Sequence, residues 1–110
     1  MPNFGVMSEG PRAFFLDGEL DLATVPLMST AIEDAVARGG PLSIDMTAVT
    51  FVDSTGIGAI LKAAADLPSG CIVLHGVHDG VQKVVDLMGV GHSSNLHIIP
   101  CILGGHPTAA

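Results

Sequence analysis

Three stretches of the chain repeat apolar residues at helical spacing, with short apolar runs of strand length between them. Met28, Ala31, Ile32, Ala35 and Val36 fall on one helical face, with Glu33, Asp34 and Arg38 elsewhere on the cylinder. Thr24 suits the N-cap of this helix, Pro26 its first turn, and Gly39-Gly40 its end. Ile57, Ile60, Leu61 and Ala64 repeat the pattern until Pro68-Ser69-Gly70 interrupts it. Val81, Val84, Val85 and Met88 mark a third helix, opened by a capping box of Asp79 and Gln82 and closed at Gly89. The predicted strands are Phe4 to Met7 and Ala13 to Leu16, the second ending at the turn signal Asp17-Gly18 and the two pairing as a hairpin. "LSIDM" (42–46) follows, then a short connection into "VTFVDSTGIG", then "CIVLH" (71–75) and "LHIIP" (96–100). "CIVLH" is wholly apolar, as in a strand buried on both faces of a parallel sheet. The alternation predicts an α/β fold: a small mixed, mostly parallel β-sheet covered by α-helices, with right-handed crossovers.

Composition narrows what such a domain can do. At 110 residues there is material for one core, so residues 1–104 are read as a single domain and 105–110 as a disordered tail. No apolar run approaches the roughly 20 residues that span a bilayer, and the N-terminus lacks a basic segment followed by an apolar one. The expectation is a cytoplasmic protein without membrane insertion. Eleven acids against four bases give a formal charge of −7, with Arg12, Arg38, Lys62 and Lys83 scattered singly. That argues against direct nucleic-acid binding, which needs a clustered basic face; the charge would steer a partner with a basic surface toward the chain, and solubility alone also accounts for it. Cys71 and Cys101 stand apart with no metal spacing and read as reduced, buried thiols in strands. His75 and His78 straddle a strand end and a loop, while His92 and His97 lie in or near turns, so no metal or other cofactor is expected.

The run that carries chemistry is "VDSTGIG", residues 52–58. Asp53, Ser54 and Thr55 can each cap the helix that follows. A cap alone leaves Gly56 and Gly58 unexplained, because each costs up to about 1 kcal/mol relative to alanine inside a helix. The two glycines strip side chains from the helix entrance, where N–H groups and the macrodipole favour an anion. Ser54 there is a candidate modification site, and Asp53 beside it adds like charge that would push a phosphoryl group outward. No nucleophile elbow surrounds Ser54, and the glycines match neither a P-loop nor a dinucleotide fingerprint, so an enzyme is not expected.

"LDGELD" (16–21), "IDMTAVTFVDSTGIGAIL" (44–61) and "VQKVVDLMGV" (81–90) resemble the STAS family, and within it the stand-alone bacterial anti-sigma factor antagonists. The resemblance spans roughly residues 10–100, and the "DSTG" block in its apolar frame is its specific part. It implies partner switching: the unphosphorylated protein binds an anti-sigma factor serine kinase of the GHKL type and so frees the sigma factor. Phosphorylation at the position of Ser54 ends the binding, and a PP2C-type phosphatase resets it. Asp21 is carried over as a partner contact, with a solvated turn acid as the alternative, and Asp53, Thr55, Gly56, Ile57 and Gly58 join it as the partner-binding set. The family's final helix has no counterpart after residue 97. That leaves an apolar patch around Ile98, Ile99, Ile102 and Leu103 for a partner or a second copy in a homodimer. The competing reading is a non-enzymatic STAS subunit that docks on a membrane transporter ATPase complex.

Overall fold

The computed structural model describes residues 3–89 and 95–100. Its elements run β1 (Phe4–Gly10), β2 (Ala13–Leu20), α1 (Val25–Arg38), β3 (Leu42–Val52), α2 (Ser54–Asp66), β4 (Ile72–Val77), α3 (Asp79–Leu87) and β5 (Leu96–Pro100). The strands form one sheet in the order β1-β2-β3-β4-β5, with β1 antiparallel to β2 and the remaining pairs parallel. This is the mixed, mostly parallel sheet that the alternation predicts. The sequence expectations for residues 90–94 and 101–110, including Cys101, His92, Ile102, Leu103 and the tail, lie outside the described residues.

One face of the sheet carries the core. Leu16 and Leu20 of β2, Leu42, Ile44 and Met46 of β3, and Ile72 and Leu74 of β4 are buried there. They lie in one cluster with Met28 and Ile32 of α1, Ile57 and Ile60 of α2, and Val81 and Val85 of α3. Burying a side chain of this size contributes about 1.5–3 kcal/mol, so the cluster dominates stability. The expectation for β4 is corrected here: Ile72, Leu74 and Val77 are buried, whereas Val73 and His75 between them are only half-buried. Cys71, expected buried within this strand, is half-buried and stands just ahead of it. The helices supply one side of the sheet, and the opposite side, with Phe15, Asp45 and His75 in register across three strands, stays partly open.

β1 to β4 all run past their sequence signals, β2 and β3 through predicted breaks. Asp17-Gly18 makes no turn; β2 continues through it to Leu20. Gly18 adopts φ 99°, and a Cβ there would collide with the Asn3 carbonyl, which accepts the Glu19 N–H at 2.7 Å. Glycine is required at that point by a close backbone approach. The expected break after "LSIDM" is also absent. Residues 42–52 form one strand whose register shifts against β2, and the Asp45 carboxylate accepts the Thr47 N–H at 2.8 Å where the ladder is irregular.

The helix ends differ as well. Thr24 occupies the N-cap position of α1 without a capping side-chain bond. It is 2% exposed, and its hydroxyl donates to the Glu19 carbonyl at 2.7 Å and accepts the Asp21 N–H at 2.9 Å. The helix start lies one residue earlier than the Asp79–Gln82 signature predicts: His78 takes the N-cap position and Asp79 is already helical. The Gln82 side chain turns instead to Asp86, donating at 2.8 Å.

Candidate functional site

The C-terminal ends of β2, β3 and β4 and the starts of all three helices meet at one end of the sheet. The chain enters α2 there under tight control. Asp53 is the N-cap: its carboxylate accepts the Gly56 N–H at 2.9 Å, and its own N–H donates to the Leu20 carbonyl at 3.2 Å. Of the three residues that the sequence leaves open as caps, Asp53 takes the role and Thr55 does not. Ser54 and Thr55 are the first two residues of α2, both exposed, and the Ser54 hydroxyl makes no hydrogen bond among the described residues. The residue beside it has taken over the structural task that a helix-opening serine usually performs.

The two glycines separate in function. Gly56 is buried, and a Cβ on it would lie 2.7 Å from the Leu20 carbonyl oxygen and 2.9 Å from side-chain atoms of Leu20 and Val52. It lets α2 seat on the ends of β2 and β3. A Cβ on Gly58, one turn beyond Ser54, meets nothing within 4 Å. Nothing in the fold asks for glycine at Gly58. Ile57, between them, is a core residue at 1% exposure, so among the described contacts it supports α2 from beneath rather than facing outward.

Asp21 sits beside this entrance in the β2–α1 connection. Its Oδ1 accepts from the N–H groups of Ala23 at 3.0 Å and Thr24 at 3.1 Å, and its carbonyl accepts the Val25 N–H at 2.9 Å. One carboxylate oxygen is therefore committed to shaping the bend before α1, as an aspartate in a turn commonly is. The next residue, Leu22, is 73% exposed, and Phe51, two residues before the cap, is 49% exposed. Sequence periodicity gave no sign of Leu22, because it falls between a strand and a helix and belongs to neither pattern.

His78 stands in the connection after β4, where the sequence puts it, at the N-cap of α3. Its Nε2 lies 2.7 Å from the Val49 carbonyl, which can only accept, so this nitrogen carries the proton. The bond ties the start of α3 to β3 three residues before Val52. His75 lies in register with Asp45, on the open side of the sheet. Among the described residues, no group of three or more His, Cys, Asp or Glu stands close enough to hold a metal ion.

Charge is distributed unevenly. Asp17, Glu19, Asp21 and Asp53 lie toward the entrance, whereas Arg12 and Arg38 lie at the opposite end of the strands, near Gly40 and Pro41. Lys62 pairs with Asp66 at 2.9 Å and Arg38 with Asp34 at 3.0 Å. The entrance is thus an exposed hydroxyl on a rigid cap, in acidic surroundings, with apolar side chains standing out beside it.

A family model described as "Mlab, STAS domain" matches residues 11–100. The chain belongs to the STAS domain family. An anti-sigma-B factor antagonist from Listeria monocytogenes is 34% identical over 79 residues, 69% of each chain. Among solved structures, the anti-sigma factor antagonist SpoIIAA in its unphosphorylated form aligns with TM-score 0.62 at 19% identity, covering 90% of this chain and 89% of its own. The Bacillus SpoIIAA in its phosphorylated form aligns with TM-score 0.59 at 20% identity, covering 86% and 89%. At these identities the solved structures establish the shared fold. In the described part of this chain no helix is long and apolar enough to cross a membrane.

Proposed function

We propose that this chain is an anti-sigma factor antagonist that works by partner switching, with Ser54 as its phosphoacceptor. The carrying observation is the division of labour at the α2 entrance: Asp53 caps the helix, and Ser54 beside it is exposed with its hydroxyl unspent. A hydroxyl with no structural duty can gain or lose a phosphoryl group while the fold around it stays intact. Phosphorylation adds about −1.5 to −2 charge at neutral pH. Here that charge lands next to the Asp53 carboxylate and within the acidic end of the molecule, where it repels an interface built for a basic partner.

In the unmodified state the entrance binds an anti-sigma factor serine kinase of the GHKL type, and the sigma factor held by that kinase is released. The kinase supplies ATP and chemistry; this chain is substrate and binding module, not an enzyme. Transfer joins the Ser54 Oγ to the γ-phosphorus of ATP, releasing ADP and the hydroxyl proton. A PP2C-type phosphatase hydrolyses the phosphoserine and restores binding, and the whole cycle runs in the cytoplasm. Asp21, Asp53, Thr55 and Gly58 form the contact surface, while Gly56 and Ile57 hold α2 in place beneath it.

The test is phosphorylation by purified GHKL-type kinases of the source cell with Mg-ATP, read by phosphosite mass spectrometry. Modification should fall on Ser54, and Ser54→Ala should abolish it while the variant still binds the kinase. Undiminished labelling of Ser54→Ala would overturn the site. Retention of a transporter ATPase in place of a kinase on co-purification would favour the docking-subunit reading.

A further inference from the structure

The face of the sheet turned away from the helices carries a row of side chains in register across all five strands. Met7 pairs with Phe15, Phe15 with Asp45, Asp45 with His75 and His75 with Ile99. Their neighbours along the strands, Leu16, Ile44, Leu74 and Ile98, pack into the core on the other side, so alternation commits the row to the open face. Met7 is 63% and Ile99 43% exposed, while Phe15, Asp45 and His75 are half-buried. The row beside it, Ser43, Val73 and His97, adds a further apolar side chain and no formal charge. One Asp45 oxygen accepts the Thr47 N–H at 2.8 Å, and no hydrogen bond joins Asp45 to His75 among the described residues.

The order of the row selects its occupant. Outward from the midpoint between Asp45 and His75, the row runs to Phe15 on one side and to Ile99 on the other. A two-fold axis along the strands at that midpoint, between two facing sheets, sets Asp45 of each copy opposite His75 of the other, and Phe15 opposite Ile99. An imidazole in either protonation state can donate to a carboxylate, so the central contacts are complementary and the flanking ones apolar. Five strands about 4.8 Å apart span about 24 Å, and seven residues at about 3.3 Å each extend about 23 Å, so the face offers about 550 Å² per copy. The resulting total of about 1,100 Å² just clears the roughly 1,000 Å² that a specific interface needs, which fits a reversible dimer. Depletion of charge at the centre of the patch, where Asp45 alone is formally charged in the two rows, is also characteristic of an interface core. We propose that this face is a self-association surface on which a second copy of the chain packs sheet to sheet. The helices remain on the outside, so the α2 entrance of each copy stays open to other partners, and the proposal does not depend on the phosphoacceptor reading of Ser54.

Sedimentation equilibrium of the full chain tests this. Wild type should show a monomer–dimer equilibrium with Kd of about 1–100 μM. Asp45→Lys and His75→Asp, each alone, should weaken the dimer by about tenfold or more, since each leaves matching charges or two donors face to face across the axis. An equimolar mixture of these two variants should recover association to within about threefold of wild type, because each substituted side chain then meets its complement while a native Asp45 meets a native His75. Ile99→Glu, at an exposed position away from the Asp45–Thr47 bond, should also weaken the dimer by about tenfold and keeps the test decisive if Asp45→Lys disturbs its strand. Melting curves at concentrations where wild type is monomeric establish that each variant is folded. A wild-type chain that stays monomeric up to about 1 mM, a dimer that folded Ile99→Glu leaves intact, or folded charge variants whose mixture associates no better than either alone each overturn the proposal.

Discussion

The two ends of the strands use the same residue types for opposite purposes. At the N-terminal end, the Arg12 guanidinium donates to the carbonyls of Ala35 at 2.7 Å and of Gly40 and Pro41 at 3.0 Å each, closing the C-terminus of α1 onto the sheet. The Gly40 N–H donates to the Ser69 carbonyl at 2.7 Å, and Gly70 packs so closely on Gly40 that a Cβ would meet its backbone. A Cβ at Gly39 or Gly70 would meet a neighbour at 3.0 Å or less, and Gly40 holds a left-handed backbone at φ 87°. At the C-terminal end Gly56 does the same, but Gly58 does not, the Ser54 hydroxyl has no partner among the described residues, and Leu22 stands in solvent. One end is closed by contacts within the chain; the other leaves the Ser54 hydroxyl and Leu22 exposed, as the proposed partner interface requires. The difference teaches how to read a glycine in a helix start: the space around its missing Cβ decides whether it serves the fold or an encounter.

The contrast breaks first, if it breaks at all, at Gly70. Gly70→Ala combines a left-handed backbone at φ 84° with a Cβ placed 2.7 Å from the Gly40 carbonyl oxygen. The strain and the clash together should cost about 3 kcal/mol, lowering the melting temperature by some 12–24 °C for a domain of this size. Ser54 phosphorylation of the folded fraction should be unchanged. A melting temperature within about 3 °C of wild type would show that this end is less tightly closed than its contacts imply. Gly56→Ala comes next. Its Cβ meets the Leu20 carbonyl, which cannot move without disturbing the strand end, so a net loss of about 2 kcal/mol is expected after the gain in helix propensity. Chemical denaturation should register it as a lower midpoint at constant m-value. A rise in stability at Gly56, such as is expected at Gly58, would erase the distinction between the two glycines.

How much of this the sequence reveals depends on the range of the interaction. All three helices and the parallel core strands are legible, because Met28-Ile32-Val36 or Ile57-Ile60-Ala64 repeat their burial within a few residues. Features set by distant backbone are not. Asp17-Gly18 reads as a turn until the Asn3 carbonyl is seen to approach Gly18, and Thr24 reads as a cap until its hydroxyl is seen to reach Glu19. One-sided cover of β4 is invisible in "CIVLH" because half-buried Val73 has the same hydropathy as buried Leu74. At the site, the sequence isolates Asp53, Ser54 and Thr55 as a set, and only the hydrogen bond from the Gly56 N–H sorts cap from free hydroxyl. Gly56 and Gly58 look identical by propensity; contacts with Leu20 and Val52, far away in sequence, separate them.

The smallest of these effects is the most discriminating, because Asp53 belongs to both logics at once. It caps α2, as the fold requires, and it contributes charge beside the proposed phosphoacceptor. Asp53→Ala removes both and should cost about 1 kcal/mol, or roughly 4–8 °C in melting temperature. Asp53→Asn separates them, since asparagine caps as well as aspartate but carries no charge. The asparagine variant should melt within about 2 °C of wild type. If the acidic entrance steers a basic partner, its kinase association rate should fall severalfold at low ionic strength, and the deficit should shrink as salt rises, because exposed charges are screened over about 10 Å at 0.1 M. An association rate equal to that of wild type at every salt concentration would confine Asp53 to capping and move the recognition of Ser54 onto Leu22 and the bare backbone at Gly58.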